Sequence, residues 1–194
     1  MRTEEDPRKW REPFVSANDG ASGVALLMEL AGHFKEIKPA VGVDLVFFDG
    51  EEYIFDPNND KYFFGSEHFA QEYRKSRPQG QTRYLGAILL DMVGGKDARF
   101  PVERHSAQLA PGLVQQVWGL AQRLDCPAFR ADALSDVAVE DDHVALNRHG
   151  IPAVDIIDFN YPHWHRLTDV PENCSGESLG QVARVLSVWL QWLK

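Results

Sequence analysis

The stretch Leu85-Gly-Ala-Ile-Leu-Leu-Asp91 is a short apolar run that ends in a carboxylate. Runs of this length, bounded by polar residues, are typical of strands that are buried on both faces of a parallel sheet. Two further runs have the same form: Val43–Phe48 leads into Asp49-Gly50-Glu51-Glu52, and Ala153–Ile157 leads into Asp158. The sequence therefore predicts three buried strands, each followed by acidic side chains.

Helical patterns separate these strands. Turn residues and apolar spacings of three and four predict helices after Asn18-Asp19-Gly20, over 66–74, over 111–124, over 141–148 and at the C-terminal end. Strands that alternate with helices predict an α/β fold, a three-layer sandwich with a mostly parallel central sheet flanked by helices. The length of 194 residues favours one domain over residues 1–194.

The first helix is predicted in more detail because it follows a turn. Val24, Leu27, Met28, Ala31 and Phe34 recur at spacings of three and four, which places them on one helical face. Asp19 or Ser22 is expected to cap its N-terminal end.

The composition excludes several classes of protein. With 20 Lys and Arg against 29 Asp and Glu, the net charge of −9 would repel nucleic acid and anionic membrane surfaces. No run approaches the roughly 20 apolar residues that span a bilayer. The first residues, Met1–Lys9, are charged and do not resemble a signal peptide. Cys126 and Cys174 are too few for a disulfide framework or a thiolate zinc finger.

The acidic strand ends indicate a metal site. The carboxyl ends of parallel strands meet at one edge of a sheet, which is where α/β folds bind ligands. There the acids after Phe48 and Leu90 would meet the imidazoles of Tyr161-Pro-His-Trp-His165. Carboxylates this close repel one another unless a cation lies among them. Asp19 and Glu52, together with His165, would offer the oxygen and nitrogen ligands of a catalytic zinc ion.

Five ordered motifs resemble the zinc exopeptidase family, which contains bacterial aminopeptidases and glutaminyl cyclases. The motifs are Ser16-Ala-Asn-Asp-Gly-Ala-Ser-Gly-Val-Ala25, Phe47-Phe-Asp-Gly-Glu-Glu52, Leu89-Leu-Asp-Met-Val-Gly94, Glu140-Asp-Asp-His143 and Pro162-His-Trp-His-Arg-Leu-Thr-Asp169. The resemblance runs from about Asp6 to Lys194. The Asp-Asp-His loop and the Trp-His pair are most similar to the glutaminyl cyclase branch.

The resemblance implies roles for individual residues. Asp19, Glu52 and His165 match the ligands of the one zinc ion that cyclases retain. Glu51 matches the general acid/base. Asp91 matches a ligand of the second zinc ion in two-zinc aminopeptidases, and a hydrogen-bonding carboxylate in cyclases.

Two more positions match the cyclase pocket. Asp141 matches a carboxylate that forms hydrogen bonds there, and Trp164 matches an aromatic wall beside the metal. The ligand of the family follows the tryptophan, which favours His165 over His163 as the imidazole that binds zinc.

The sequence departs from the family at its start. Two-zinc members carry a His-X-Asp motif upstream of the Asn-Asp-Gly segment, whereas no histidine precedes His33 here. The chain therefore resembles the C-terminal two-thirds of a member, without the first strands of the sheet. We expect one tight zinc site, because a second site at Asp19 and Asp91 would lack its imidazole. An export signal could have been lost with the missing part, so the compartment is left open.

Three functions follow as hypotheses. The first is a zinc enzyme that cyclises an N-terminal glutamine of a peptide to pyroglutamate with release of ammonia. The second is a zinc aminopeptidase that hydrolyses the first peptide bond. The third is an inactive, truncated remnant that serves as a binding module. In the first two, peptide or protein N-termini are the substrates.

Overall fold

The computed structural model describes residues 9, 11–54, 56, 58, 61–76 and 83–193. Its elements are, in chain order, α1 (Ala21–Gly32), α2 (Phe34–Ile37), α3 (Phe64–Ser76), β1 (Ala87–Asp91), β2 (Phe100–Val102), α4 (Arg104–Leu109), α5 (Pro111–Arg123), β3 (Phe129–Leu134), α6 (Asp142–Arg148), β4 (Ala153–Ile157) and α7 (Gly176–Trp192). A 3-10 turn over Pro171–Asn173 precedes α7.

The strands form two parallel ladders. β1 pairs with β4, from Ala87 opposite Ala153 to Asp91 opposite Ile157. β2 pairs with β3, beginning with Phe100 opposite Phe129. Helices pack around these ladders, so the predicted α/β class with parallel strands is confirmed.

β4 separates two layers of helices. Val154 and Ile156 belong to the large core that α1, α5 and α7 build. Ala153 belongs instead to a second core, with Leu146 of α6 and Ile151. Alternate side chains of a strand point to opposite faces, so this division places helices on both faces of β4.

The predicted strand Val43–Phe48 does not form a ladder. No backbone hydrogen bond joins it to another described residue, and it runs as unpaired chain. A strand is stable only when its backbone groups find partners, and neither edge of this segment has one within the described part of the chain. The segment and β1 both line a cavity of about 1110 Å³.

The helical face of α1 that carries Val24 and Met28 is not the buried one. Val24 and Met28 are 42% and 67% exposed, and the buried side chains include Leu26 and Leu30 instead. The helix approaches β1 through its small residues, because a Cβ atom at Gly23 would collide with a carbonyl oxygen of the strand. The apolar face with Val24 therefore turns toward the cavity.

The predicted cap of α1 is wrong as well. Gly20 is the N-cap, and no side chain caps the helix. The Ser22 hydroxyl donates to the backbone oxygen of Asn18 at 2.6 Å, so it is engaged elsewhere. The side chain of Asp19 does not cap the helix, and it lines the cavity at the end of β1. Within the described residues, no helix has both the length and the apolar run needed to cross a membrane.

Candidate active site

Asp19, Glu52 and His165 come together although they lie far apart in the sequence. His165 Nε2 lies 2.7 Å from Glu52 Oε1 and 3.6 Å from Asp19 Oδ2. Asp19 Oδ2 is buried and accepts no hydrogen bond from a described residue. One nitrogen and two oxygens converging in this way match the ligands that zinc binds at about 2.0–2.2 Å. The three residues therefore offer a set of ligands that fits a zinc ion.

His165 has an uncommon backbone conformation. Its φ of 57° lies in the left-handed region, which few residues other than glycine adopt. Such conformations persist where the surrounding structure fixes them, and they concentrate at functional sites. His163 has a different role, because its Nδ1 lies 2.8 Å from the hydroxyl of Thr168. The geometry thus favours His165 over His163 as a ligand.

A buried carboxylate, Asp169, fixes the loop that carries Asp19. It accepts hydrogen bonds from the backbone amides of Asn18 at 2.9 Å and Asp19 at 3.0 Å. It also accepts one from the Tyr161 hydroxyl at 3.0 Å. Asn18 Oδ1 in turn accepts from the amide of Gly94, just beyond β1, at 2.7 Å. Sequence reasoning missed Asp169, although it stands in the same motif as His165.

We predict that Asp169→Asn weakens zinc binding by about 10- to 100-fold, the usual cost of losing a group that orients a ligand. The asparagine side chain would keep one oxygen as an acceptor. Its NH2 group would face a backbone N–H that donates to the second carboxylate oxygen in the unmodified protein. Competition with a chromophoric chelator measures the affinity, and circular dichroism checks the fold. Asp97→Asn, at an exposed aspartate, is the matched control. Equal affinities in the two variants would remove Asp169 from this role.

The Glu51-Glu52 turn is held by the start of α3. The amide of Phe63 donates to the Glu51 carbonyl at 2.9 Å, and the amide of Gly65 donates to the Asp49 carbonyl at 2.9 Å. A Cβ atom at Gly65 would lie 2.6 Å from the Asp49 nitrogen, so only glycine allows this approach. Backbone contacts therefore position both glutamates.

Glu51 is half-buried beside the proposed ligands. Burial first, and then the charges of Glu52, Asp142 and Asp91, raise its pKa to about 8. Each neighbour makes the ionised form of Glu51 more costly, whereas a cation among the ligands would favour it. A carboxyl group with a pKa near neutral pH can both take up and release a proton, as a general acid/base must.

Asp91 and Asp141 extend this acidic cluster. Burial and repulsion from Asp19 raise the pKa of Asp91, at the end of β1, to about 7. Burial and repulsion from Asp155 raise the pKa of Asp141 well above its ordinary value. Asp141 is also the N-cap of α6 and accepts from the amide of Asp142 at 2.6 Å. Both carboxylates line the same cavity as Glu51.

Trp164 forms part of the wall beside His165. The two ring centroids lie 4.3 Å apart, and the indole also packs against Phe159 at 4.9 Å. The indole remains 38% exposed and lines the same cavity as Asp19, Glu51 and His165. This arrangement gives the site an aromatic wall open to a substrate.

The model of Peptidase family M28 matches residues 5–190 of the sequence. The chain belongs to this family. Its match covers the loop of Asp19, the Glu51-Glu52 turn and the segment of His165. The resemblance found in the sequence motifs is therefore confirmed.

Relatives in the family include glutaminyl cyclases and aminopeptidases. The glutaminyl-peptide cyclotransferase of Boiga irregularis is 28% identical, over 91% of this chain and 55% of its own. The crystal structure of the Fimbriiglobus ruber glutaminyl cyclase is 47% identical with a TM-score of 0.92, over 100% of this chain and 68% of its own. A leucine aminopeptidase precursor from Bacteroides thetaiotaomicron is 30% identical with a TM-score of 0.85, over 98% of this chain and 67% of its own. The chain spans about half the length of the curated relatives it matches.

Proposed function

We propose that this chain carries the catalytic site of a zinc-dependent glutaminyl cyclase, which converts an N-terminal glutamine of a peptide to pyroglutamate and releases ammonia. The observation that carries the proposal is that three possible zinc ligands meet beside the acid/base candidate Glu51. Asp19 and Glu52 meet the imidazole of His165. The 47% identity to the Fimbriiglobus ruber glutaminyl cyclase supports this reaction for the site.

In the proposed reaction the α-amine of the substrate attacks its own side-chain amide carbon. Asp19, Glu52 and His165 would hold a zinc ion, which would supply Lewis acidity to the amide oxygen. Glu51 takes a proton from the attacking amine and delivers it to the departing nitrogen. A carbon–nitrogen bond forms within the substrate, the side-chain carbon–nitrogen bond breaks, and ammonia leaves.

The neighbours of Glu51 support these proton transfers. Burial, and repulsion from acidic neighbours that include Asp142 and Asp91, raises its pKa, so that Glu51 can hold the proton between the two transfers. Asp141 borders the same cavity and caps α6, which fixes the adjoining Asp142. Trp164 provides an aromatic surface against which the substrate side chain can lie.

An aminopeptidase is the second candidate function. The specific observation in its favour is the 30% identity to the leucine aminopeptidase precursor over nearly the whole chain. In that reaction Glu51 would deprotonate a water molecule that attacks the first peptide bond. Parallel assays of ammonia release from Gln-peptides and amino-acid release from Leu- and Ala-peptides separate the two activities. A protein with neither activity and no bound metal would leave the binding module as the remaining hypothesis.

We predict that Asp91→Ala leaves the zinc content of the purified protein unchanged. Among the described residues, a second ion between Asp19 and Asp91 would meet only oxygen ligands, and zinc sites in proteins favour nitrogen or thiolate donors alongside carboxylates. Elemental analysis after dialysis against trace zinc measures the content in both proteins. Loss of one ion per chain in Asp91→Ala would show a two-metal centre and favour the aminopeptidase.

A further inference from the structure

Glu103 is a fully buried carboxylate to which the proposed reaction assigns no role. It follows β2 directly and is the N-cap of α4. A carboxylate that has no access to water is stable only when its oxygens accept hydrogen bonds. The partners of these oxygens therefore show what Glu103 holds in place.

One set of partners lies in α4 itself. Glu103 Oε1 accepts a hydrogen bond from the amide of His105 at 2.8 Å. Glu103 Oε2 accepts from the amide of Ser106 at 2.6 Å and from its hydroxyl at 2.9 Å. These bonds satisfy the first amides of the helix, which is what an N-cap residue does.

The other partners lie far along the chain. Glu103 Oε1 also accepts a hydrogen bond from the amide of Val139 at 3.0 Å, and Glu103 Oε2 lies 3.0 Å from His143 Nε2. Burial raises the pKa of Glu103, but the hydrogen bonds with His143 and with the backbone amides together lower it to about 2. Glu103 is therefore ionised near neutral pH, and each of its oxygens joins α4 to a distant part of the chain.

The length of the Glu103 side chain matters for the distant partners. Asp, Asn, Ser and Thr are the preferred N-cap residues, because their short side chains reach the amides of the first turn. An aspartate at this position would cap α4 and keep the charge. Its carboxylate would lie one methylene closer to the backbone, and so farther from Val139 and His143. The longer side chain is thus needed for the distant contacts rather than for the cap.

The segment that Glu103 reaches borders the proposed active site. Residues 138–142 line the same cavity as Glu51. Residues 138–140, between β3 and α6, belong to neither a helix nor a strand. A regular ladder of backbone hydrogen bonds therefore does not fix them, and the bond from the Val139 amide to Glu103 takes its place.

Two parts of the site depend on the position of this segment. Val139 lies in an apolar cluster against which Phe159 packs, and Phe159 packs in turn against Trp164. Asp141 is the N-cap of α6, and Asp142 is the first residue of that helix. The aromatic wall and the acidic pair therefore both follow the chain that Glu103 holds.

We propose that Glu103 is a positioning residue of this site, which holds Val139 and His143 against α4 and thereby fixes the aromatic wall and the pair Asp141–Asp142. Among the described residues, Glu103 does not line the cavity, so it acts through the segment and not on the substrate. Its effect on turnover rests on the proposed function, whereas its effect on the position of the segment does not.

Glu103→Asp separates the two roles of this residue. The variant keeps the negative charge and the cap of α4 but draws the carboxylate away from Val139 and His143. We expect turnover of an N-terminal Gln peptide to fall by about 10- to 100-fold, because a displacement of about 1 Å in a catalytic site can cost about 100-fold. The zinc content should stay unchanged, since the proposed zinc ligands lie on other segments. Glu177→Asp, at an exposed glutamate in the first turn of α7, is the matched control and should keep both.

Amide hydrogen exchange reports on the segment without using enzyme activity. In the unmodified protein the Val139 amide should exchange slowly although it lies outside helix and strand, because it donates to a buried carboxylate. In Glu103→Asp it should exchange faster by about 10-fold or more, the equivalent of one lost hydrogen bond to a charged group. The amides at the start of α4, which aspartate still caps, should keep their rates.

Two results would overturn the proposal. One is a Glu103→Asp protein with the turnover of the unmodified protein, which would show that Glu103 is only the cap of α4. The other is a Val139 amide that exchanges without protection in the unmodified protein, and this result counts even if the variant fails to fold. An unmodified protein that is inactive on Gln peptides would contradict the proposed function alone, because hydrogen exchange still decides whether Glu103 holds the segment.

Discussion

Replacing Glu51 with glutamine is expected to lower turnover of an N-terminal Gln peptide by about 10²- to 10⁴-fold while zinc stays bound. Glutamine has nearly the same shape but cannot take a proton from the attacking amine. The zinc ligands Asp19, Glu52 and His165 are unchanged in this variant. Initial rates of ammonia release, together with elemental analysis of the same preparation, measure both effects.

The control for Glu51→Gln is Glu177→Gln, at an exposed glutamate in the first turn of α7. It should retain normal turnover and normal zinc content. If Glu51→Gln instead lost its zinc, the roles of the two neighbouring glutamates would be reversed, with Glu51 as the ligand and Glu52 as the acid/base.

His165→Ala is expected to abolish turnover, because the zinc ion proposed at Asp19, Glu52 and His165 is lost. The variant removes the imidazole that lies 2.7 Å from Glu52, and the remaining two carboxylates bind zinc weakly. Zinc that binds only the folded chain stabilises it by mass action, by about 2.7 kcal/mol at a hundredfold excess over Kd. Thermal unfolding with and without added zinc should therefore show a smaller zinc-dependent shift than in the unmodified protein.

His163→Ala is the matched control for the imidazole. His163 contacts Thr168 and lies outside the group of proposed ligands, so this variant should keep its zinc. A protein that loses zinc with His163→Ala but keeps it with His165→Ala would contradict the ligand assignment.

The parts of the fold that sequence predicts well are those with a local cause. The apolar runs at β1 and β4 form paired strands, and the pattern over 111–124 forms α5. The β2–β3 ladder was not predicted. Its first strand has three residues and contains Pro101, and its second, Phe129–Leu134, alternates buried and exposed positions without a long apolar run.

The parts that sequence misses depend on distant partners. Val43–Phe48 has the composition of a strand, but pairing requires a neighbour, and composition does not reveal whether one is present. Spacing alone does not reveal which face of α1 packs on β1, because the close approach depends on the small residue Gly23 rather than on apolar Val24. Periodicity cannot show such a contact between segments far apart in the chain.

The candidate site was predictable for a different reason. Ordered motifs located Asp19, Glu52 and His165 without any knowledge of the distances between them, and the structure brings the three together. The supports of the site were not predictable. Asp169 contacts an amide 151 positions earlier in the chain, and Glu103 contacts His143 across 40 positions. The role of such residues can be recognised only when the fold shows which distant groups they bind.

The most direct test of the proposed activity uses one dipeptide with an N-terminal glutamine, because this substrate permits either reaction. The zinc-loaded protein is incubated with the dipeptide, and the products are identified by mass spectrometry. We predict a dipeptide lighter by one ammonia, with ammonia formed in equal amount and turnover sharply reduced by Glu51→Gln. Release of free glutamine and the second amino acid, with no lighter dipeptide, would contradict the account and identify an aminopeptidase.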